Sequence, residues 1–219
     1  MKKINTILFD LDGTLINTNE IIIDSFISTF KTHFPKLNLT RETIMTFIGP
    51  TLNETFGSYT NDPFTIQSMI ESYREHYVEF EFDSFEIYPG VIETLEKLNK
   101  DGYNLGIVTS KFRSAAWPSF THYNLQKYFS VFVGLDHVKN PKPDREPIDV
   151  AISKFESVNE AIMIGDNIGD ILSGKAAGIY SAGVAWSLKG SAHLMSANPD
   201  FMLSDMNDIF RIIKIIEEE

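Results

Sequence analysis

Four groups of residues in this chain are of types and spacings that could do chemistry. The first is Asp10-Leu11-Asp12-Gly13-Thr14, directly after the apolar run Ile4–Phe9. Two carboxylates two residues apart at a strand end can converge near one point. One could then hold a metal ion and attack, while the other moves protons. Asp-Gly is also a strong turn signal, so the same residues read in isolation as a turn. An EF-hand loop is excluded, because the later acidic positions of that loop are missing.

The second group is Gly165-Asp166-Asn167-Ile168-Gly169-Asp170. Asp166 or Asn167 would suit a helix N-cap. Asp166 and Asp170 share one face at a helix start, where like charges repel, and a bound cation would remove that penalty. Hard oxygen donors point to Mg2+. The histidines at 33, 76, 122, 137 and 193 show no ligand spacing and there are no cysteines, which argues against zinc. The third group is Thr109-Ser110, whose hydroxyls could equally cap a helix. The fourth is Lys142 in Asn140-Pro141-Lys142-Pro143-Asp144, where the flanking prolines restrict the backbone and hold the lysine in place. A lysine in a polar loop is otherwise simply solvated.

These residues need elements to position them. Apolar runs at Ile4–Phe9, Tyr103–Thr109, Val131–Gly134, Ala161–Ile164 and Tyr180–Trp186 read as buried strands. Helical spacing appears between them at Val91–Asn99 (with Gly102 as a stop signal), Pro147–Phe155 and Ile168–Ala177. Pro118 falls in a further helical stretch, which it should kink or split. The alternation predicts an α/β fold, a Rossmann-like parallel sheet flanked by helices. Ligands of such open sheets sit at the carboxyl ends of the strands, where the strand order switches. Asp10, Thr109 and Asp166 all fall at that edge. Two acids, a metal-type pair, a hydroxyl and a lysine together there predict a phosphoryl-transfer site.

The alternation fails between about Leu15 and Pro89, where the pattern is helical only. Asn17 with Glu20 resembles a capping box, followed by a helix over Thr18–His33. Residues 66, 69, 70, 73, 77 and 80 form an apolar and aromatic stripe at helical spacing, read as packing. The expected organisation is a catalytic core of residues 1–16 plus 85–219, with an all-helical cap inserted at 17–84.

Composition narrows the function. Hydrophobic residues make up 43% of the 219, enough for a well-buried interior. No apolar run is long enough to span a bilayer or to serve as a secretory signal, so the chain is expected to start at Met1 and to be cytoplasmic. A net charge of −11 repels nucleic acid and anionic membrane surfaces, and neither is an expected partner. An anionic substrate would then need a cation or a few placed Lys and Arg side chains. Nothing in the pattern assigns an oligomeric state.

With these residues in view, the chain resembles the haloacid dehalogenase superfamily, in its phosphatase branch with a small helical cap. The resemblance covers nearly the whole chain. It rests on Asp10 to Leu15, Thr109, Lys142, and Gly165-Asp166 with Asp170, in that order. FDLDGTLINTNE, FIGPTL at Phe47–Leu52, GDN at 165–167, GVAW at Gly183–Trp186 and PDFML at Pro199–Leu203 extend it to the inorganic pyrophosphatases of that superfamily. The resemblance implies that Asp10 attacks phosphorus and forms an aspartyl-phosphate. Asp12 would protonate the leaving oxygen and then activate water, and its presence argues against a true dehalogenase. Mg2+ would be held by Asp10, the backbone carbonyl of Asp12 and Asp166, with Asp170 in support. Thr109 and Lys142 would grip the phosphoryl oxygens, beside Thr14 and Ser110.

The cap is expected to set substrate choice by closing over the site, with Gly49 and Pro50 of the Phe47–Leu52 turn reaching the substrate. Lys111 and Arg113 could meet a distal phosphate or be an ordinary solvated helix start. Arg145 stands where the family pattern often has a second proline, which could loosen the loop that holds Lys142. The expected substrate is pyrophosphate. A small monoester such as phosphoglycolate, a phosphomutase reaction, and a catalytically silent regulatory protein are the rival readings.

Overall fold

A computed structural model describes residues 3–79 and 86–218. The chain divides into two compact units, one of Met1–Asn17 with Ile87–Glu219 and one of Thr18–Glu86. Strands β1 (Ile4–Phe9) and β2 (Ile16–Asn17) precede four helices, α1 (Asn19–His33), α2 (Arg41–Met45), α3 (Leu52–Gly57) and α4 (Pro63–Glu79). Strand β3 (Glu86–Ile87) then leads to α5 (Val91–Lys100), β4 (Asn104–Val108), α6 (Arg113–His122) and β5 (Val131–Val133). After these come α7 (Glu146–Ile152), β6 (Glu160–Gly165), α8 (Ile168–Ala176) and β7 (Tyr180–Val184). The chain ends with α9 (Ser191–Met195), β8 (Phe201–Leu203) and α10 (Asp208–Glu218).

The helical unit is built on aromatic packing. Phe26 meets Phe47, Phe56 and Tyr73 at centroid distances of 5.3, 5.8 and 4.7 Å. Phe30 meets Phe47, Phe56 and Tyr59 at 5.5, 5.8 and 4.8 Å. The stripe on α4 is part of this core: Met69, Ile70, Tyr73 and Tyr77 are buried. Phe80 lies outside the described residues. The capping box expected at Asn17 does not form. Thr18 is the N-cap of α1 and makes no side-chain cap bond, while the Glu20 carboxylate is taken by the guanidinium of Arg41. The capping box of this unit is at α3 instead. There the Thr51 N–H donates to Glu54 Oε2 at 2.8 Å, and the Glu54 N–H donates to Thr51 Oγ1 at 3.2 Å.

In the other unit six parallel strands form one sheet in the order β5-β4-β1-β6-β7-β8. The chain moves outward from β1 through β4 to β5, then returns to the far side of β1 with β6. Parallel connections that run in two opposite directions from β1, each expected to be right-handed, put helices on both faces of such a sheet. Leu8, Val108, Val131, Val133 and Met163 pack with Ile148 and Ala151 of α7 on one of them. Short, apolar, fully buried strands are what this arrangement requires. Strand β8 is a three-residue edge strand that pairs with β7 alone. Helix α10 buries Ile209, Ile212, Ile213 and Ile216, which recur at helical spacing.

Helix α6 runs through Pro118 rather than splitting there. Trp117 and Phe120 pack against Phe132 at 5.8 and 5.3 Å, which holds the segment against the sheet. The Thr121 hydroxyl donates to the Trp117 carbonyl at 2.9 Å, adding a bond across the proline turn.

Register decides the site. Phe9 lies opposite Ile107 on one side and Ile164 on the other. The Asp10 N–H continues the ladder to the Ile164 carbonyl at 2.9 Å, and the Thr109 N–H reaches the Val133 carbonyl at 2.9 Å. Asp10, Thr109 and Asp166 therefore leave the sheet at one edge. The crevice between β1 and β6, where the order reverses, opens there.

Candidate active site

Asp10, Asp166 and Asp170 are all buried, and each offers an oxygen within 4.8 Å of the others. Lys142 enters this acidic cluster from the loop before α7. Its ammonium donates to Asp10 Oδ1 at 2.8 Å, Asp170 Oδ1 at 2.5 Å and the Val108 carbonyl at 2.9 Å, which uses all three of its donors. The second oxygen of Asp170 accepts the Asn167 N–H at 2.9 Å, closing the start of α8. The loop that carries Lys142 is tied at both ends by hydrogen bonds. Glu146 accepts the backbone N–H groups of Lys139 and Asn140 at 2.8 and 2.9 Å, and Ser173 Oγ donates to the Asp144 carbonyl at 2.6 Å. Arg145 itself faces outward, in an ion pair with Asp149 at 2.6 Å.

Two glycines make the cluster possible. Gly13 has φ +81°, and a Cβ there would stand 2.4 Å from Asp166 Oδ2. A Cβ on Gly165 would stand 2.2 Å from Asp170 Cγ and Oδ2. Gly165→Ala is therefore expected to displace Asp170 from Lys142, lower activity by about 10²-fold or more, and weaken cation binding. Steady-state rates and a direct cation titration measure both effects.

The electrostatics leave the cluster short of positive charge. Burial pushes Asp10 up to about 7, and Asp170 and Asp12 add to this against the opposing pull of Lys142. Burial, with Asp10 and Asp170 beside it, raises Asp166 well above the carboxylate range. Burial alone would lower Lys142, but Asp10 and Asp170 outweigh it and raise the lysine. One ammonium thus faces three buried carboxylates. The donors are all oxygen, and the charge deficit fits a hard divalent cation.

A carboxyl group held above its unfolded value keeps its proton in the folded state. Its contribution to stability is present below about 4 and lost as the pH rises through about 7. The melting temperature of the metal-free protein is accordingly expected to fall between pH 5 and pH 8, and a saturating divalent cation to remove most of that fall. Thermal melts across this range, with and without cation, provide the check.

The remaining residues singled out in the sequence are distributed as follows. Asp12 Oδ1 accepts the Lys111 ammonium at 2.7 Å, so these two are brought together. The Thr109 side chain is buried, and its Oγ1 accepts the Lys111 N–H at 3.2 Å. Thr14 is fully buried, and Ser110 is half-buried on the same loop as Thr109. Arg113 is turned to another surface. Its guanidinium lies 4.3 Å from the centroid of Trp117, and the Arg113 backbone N–H donates to Asp136 Oδ1 at 2.7 Å. Gly49 and Pro50 belong to the helical unit, in the exposed turn between α2 and α3, with Gly49 at φ +111°.

One set of residues at this edge was not assigned a role from sequence. The loop after β7 holds Trp186, Ser187 and Lys189. Ser187 Oγ donates to the Asp166 carbonyl at 2.7 Å, and Lys189 Nζ donates to Asn167 Oδ1 at 3.1 Å. Burial lowers Lys189, while Asp166 and Asp170 pull the other way. The signal was available, because β7 ends at the same carboxyl edge as β1 and β6.

Comparison with known proteins agrees with this geometry. Residues 7–184 match the haloacid dehalogenase-like hydrolase family. The chain is 46% identical over 213 residues to pyrophosphatase PpaX of Listeria monocytogenes, covering 97% of each chain. It is 47% identical over 211 residues to pyrophosphatase PpaX of Bacillus pumilus, covering 96% of each. Among solved structures, a haloacid dehalogenase-like family hydrolase of Streptococcus pneumoniae superposes with a TM-score of 0.82 at 27% identity, covering 97% of this chain and 99% of that one. On the match across the sheet and its acidic edge, this chain belongs to the haloacid dehalogenase-like hydrolases.

Proposed function

We propose that this protein hydrolyses inorganic pyrophosphate to phosphate, with Asp10 as nucleophile and Mg2+ as the cation. Similarity to the two PpaX pyrophosphatases over nearly the whole of both chains carries the choice of substrate. The buried cluster of Asp10, Asp166, Asp170 and Lys142 supports the chemistry.

In this reading a carboxylate oxygen of Asp10 attacks one phosphorus and forms an aspartyl-phosphate. The bridging P–O bond breaks, and its electron pair leaves with the second phosphate, which takes a proton from Asp12. Water then attacks the aspartyl-phosphate, giving its proton to Asp12, and the Asp10 carboxylate is regenerated as the phosphate it carried is released. Asp10 and Asp166, with the Asp12 backbone carbonyl and support from Asp170, would hold Mg2+. When bound, the cation neutralises charge on the transferring phosphoryl oxygens. Lys142 keeps Asp10 oriented and supplies fixed positive charge at the same oxygens. Thr109, Ser110 and Thr14 would contact the phosphoryl oxygens in this reading. Lys111, paired with Asp12 in the free protein, would turn to the distal phosphate and so release that carboxyl for proton transfer.

A phosphate-release screen with Mg2+ tests the substrate, comparing pyrophosphate with a panel of monoesters that includes phosphoglycolate and sugar phosphates. The expected result is the highest kcat/KM for pyrophosphate. A monoester preferred by about tenfold or more would replace it as the substrate. Mg2+ is tested by dialysis against chelator, which is expected to abolish turnover until the cation is returned.

A further inference from the structure

The loop after β7 grips both acid-bearing loops. Trp186 Nε1 donates to the Thr14 carbonyl at 3.3 Å, and Ser187 Oγ donates to the Asp166 carbonyl at 2.7 Å. The Lys189 N–H closes the turn on Ser187 Oγ at 3.3 Å. From this anchored turn the Lys189 ammonium reaches Asn167 Oδ1 at 3.1 Å, and Asn167 Nδ2 in turn donates to Asp166 Oδ1 at 3.1 Å.

Chemistry sets the direction of this chain of bonds. An ammonium donates and cannot accept, so the end of the Asn167 amide that faces it is the carbonyl oxygen. The NH2 group is thereby turned toward Asp166. With Oδ1 of Asp166 held by that NH2, the carboxylate is fixed in rotation, and Oδ2 is set against Gly13. A flipped amide would oppose its carbonyl to the carboxylate, acceptor against acceptor.

We propose that Lys189, acting through Asn167, is a positioning residue that orients the Asp166 carboxylate for cation binding. The proposal rests on the reading of Asp10, Asp166 and Asp170 as a divalent-cation site. Hydrogen bonds behind a ligand hold its orientation, and their loss weakens metal affinity by about 10–100-fold. A role as bare charge has the opposite sign. Lys189 is close enough to interact with Asp166 and Asp170. As a charge alone it would repel a cation, and its removal would tighten binding.

The test is a Mn2+ titration of the whole protein, with free Mn2+ followed by electron paramagnetic resonance, for wild type, K189M, K189R, N167A and the K189M/N167A double variant. K189M is expected to weaken binding by about tenfold. K189R, which keeps a donor-only cation, should bind within about threefold of wild type. N167A should lose as much as K189M, and the double variant should be no worse than N167A, because the two residues act in series. K189Q replaces K189M if the latter does not fold, with the same expected direction. Binding by K189M that equals or exceeds wild type overturns the proposal, as does an additive loss in the double variant. Absence of Mn2+ binding to wild type would instead overturn the reading of the acidic cluster itself.

Discussion

Asp10→Asn is expected to lower turnover by about 10³-fold or more and, at the same time, to raise the stability of the metal-free protein at pH 8. The two effects have separate causes. A carboxamide oxygen is too poor a nucleophile to attack phosphorus, so the covalent step fails. The amide nevertheless keeps the shape of the side chain and an oxygen for the Lys142 ammonium, which lies 2.8 Å from Asp10 Oδ1. It also removes a buried charge that the fold holds at a disadvantage, since burial pushes the Asp10 carboxyl up to about 7. Replacing a group whose charge is disfavoured by a neutral isostere relieves that penalty. Rate measurements and thermal melts on one preparation read both effects. Persisting turnover would refute Asp10 as nucleophile, and a lower melting temperature at pH 8 would refute the electrostatic account of the cluster.

Lys142→Met should have the largest effect on stability. Its side chain is 6% exposed, and its charge is shared between Asp10 and Asp170. Methionine has similar volume but leaves both carboxylates without that partner. Removing one member of a buried ion pair in this way costs about 3–5 kcal/mol. The loss is expected to be largest at high pH, where the carboxylates are ionised, and smaller at pH 5, where Asp10 can take up a proton. A divalent cation should recover part of it by supplying charge at the same place. Activity is expected to be lost even with the cation present, because the fixed ammonium beside the nucleophile is gone. Urea unfolding at pH 5 and pH 8, with and without Mg2+, measures the stability arm, and phosphate release measures the other.

Several features of this molecule were legible in the order of its residues. Strands β1, β4 and β6 are apolar runs followed directly by a polar residue, Asp10, Thr109 and Asp166, and β1 occupies the whole of the predicted Ile4–Phe9. Register follows from burial on both faces, so Asp10 and Asp166 had to leave neighbouring strands at the same edge once both strands were parallel. The aromatic stripe on α4 was readable as core because its spacing matches a helical face.

Other features depend on contacts between distant segments. Glu20 has two local uses, as a capping residue or as a partner for a cation, and only the approach of Arg41 decides between them. Pro118 breaks a helix by local rules, yet the packing of Trp117 and Phe120 on Phe132 keeps α6 continuous. Arg113 carries the same charge as Lys111 two positions earlier. The structure turns one to Trp117 and the other to Asp12, because successive residues at a helix start face different directions.

The residue types and their order at strand ends were enough to establish a phosphoryl-transfer chemistry in a parallel α/β fold, since apolar periodicity and the carboxyl-edge rule are local properties. What they could not supply is the arrangement of the charges. That Lys142 spans Asp10 and Asp170, that Lys111 takes Asp12, and that Lys189 lies behind Asp166 by way of Asn167 are outcomes of residues 132 and 28, 99, and 22 positions apart, respectively, being brought together. Coulombic and hydrogen-bond energies depend on distance in space and on burial, and neither quantity exists until the sheet has closed its strands side by side.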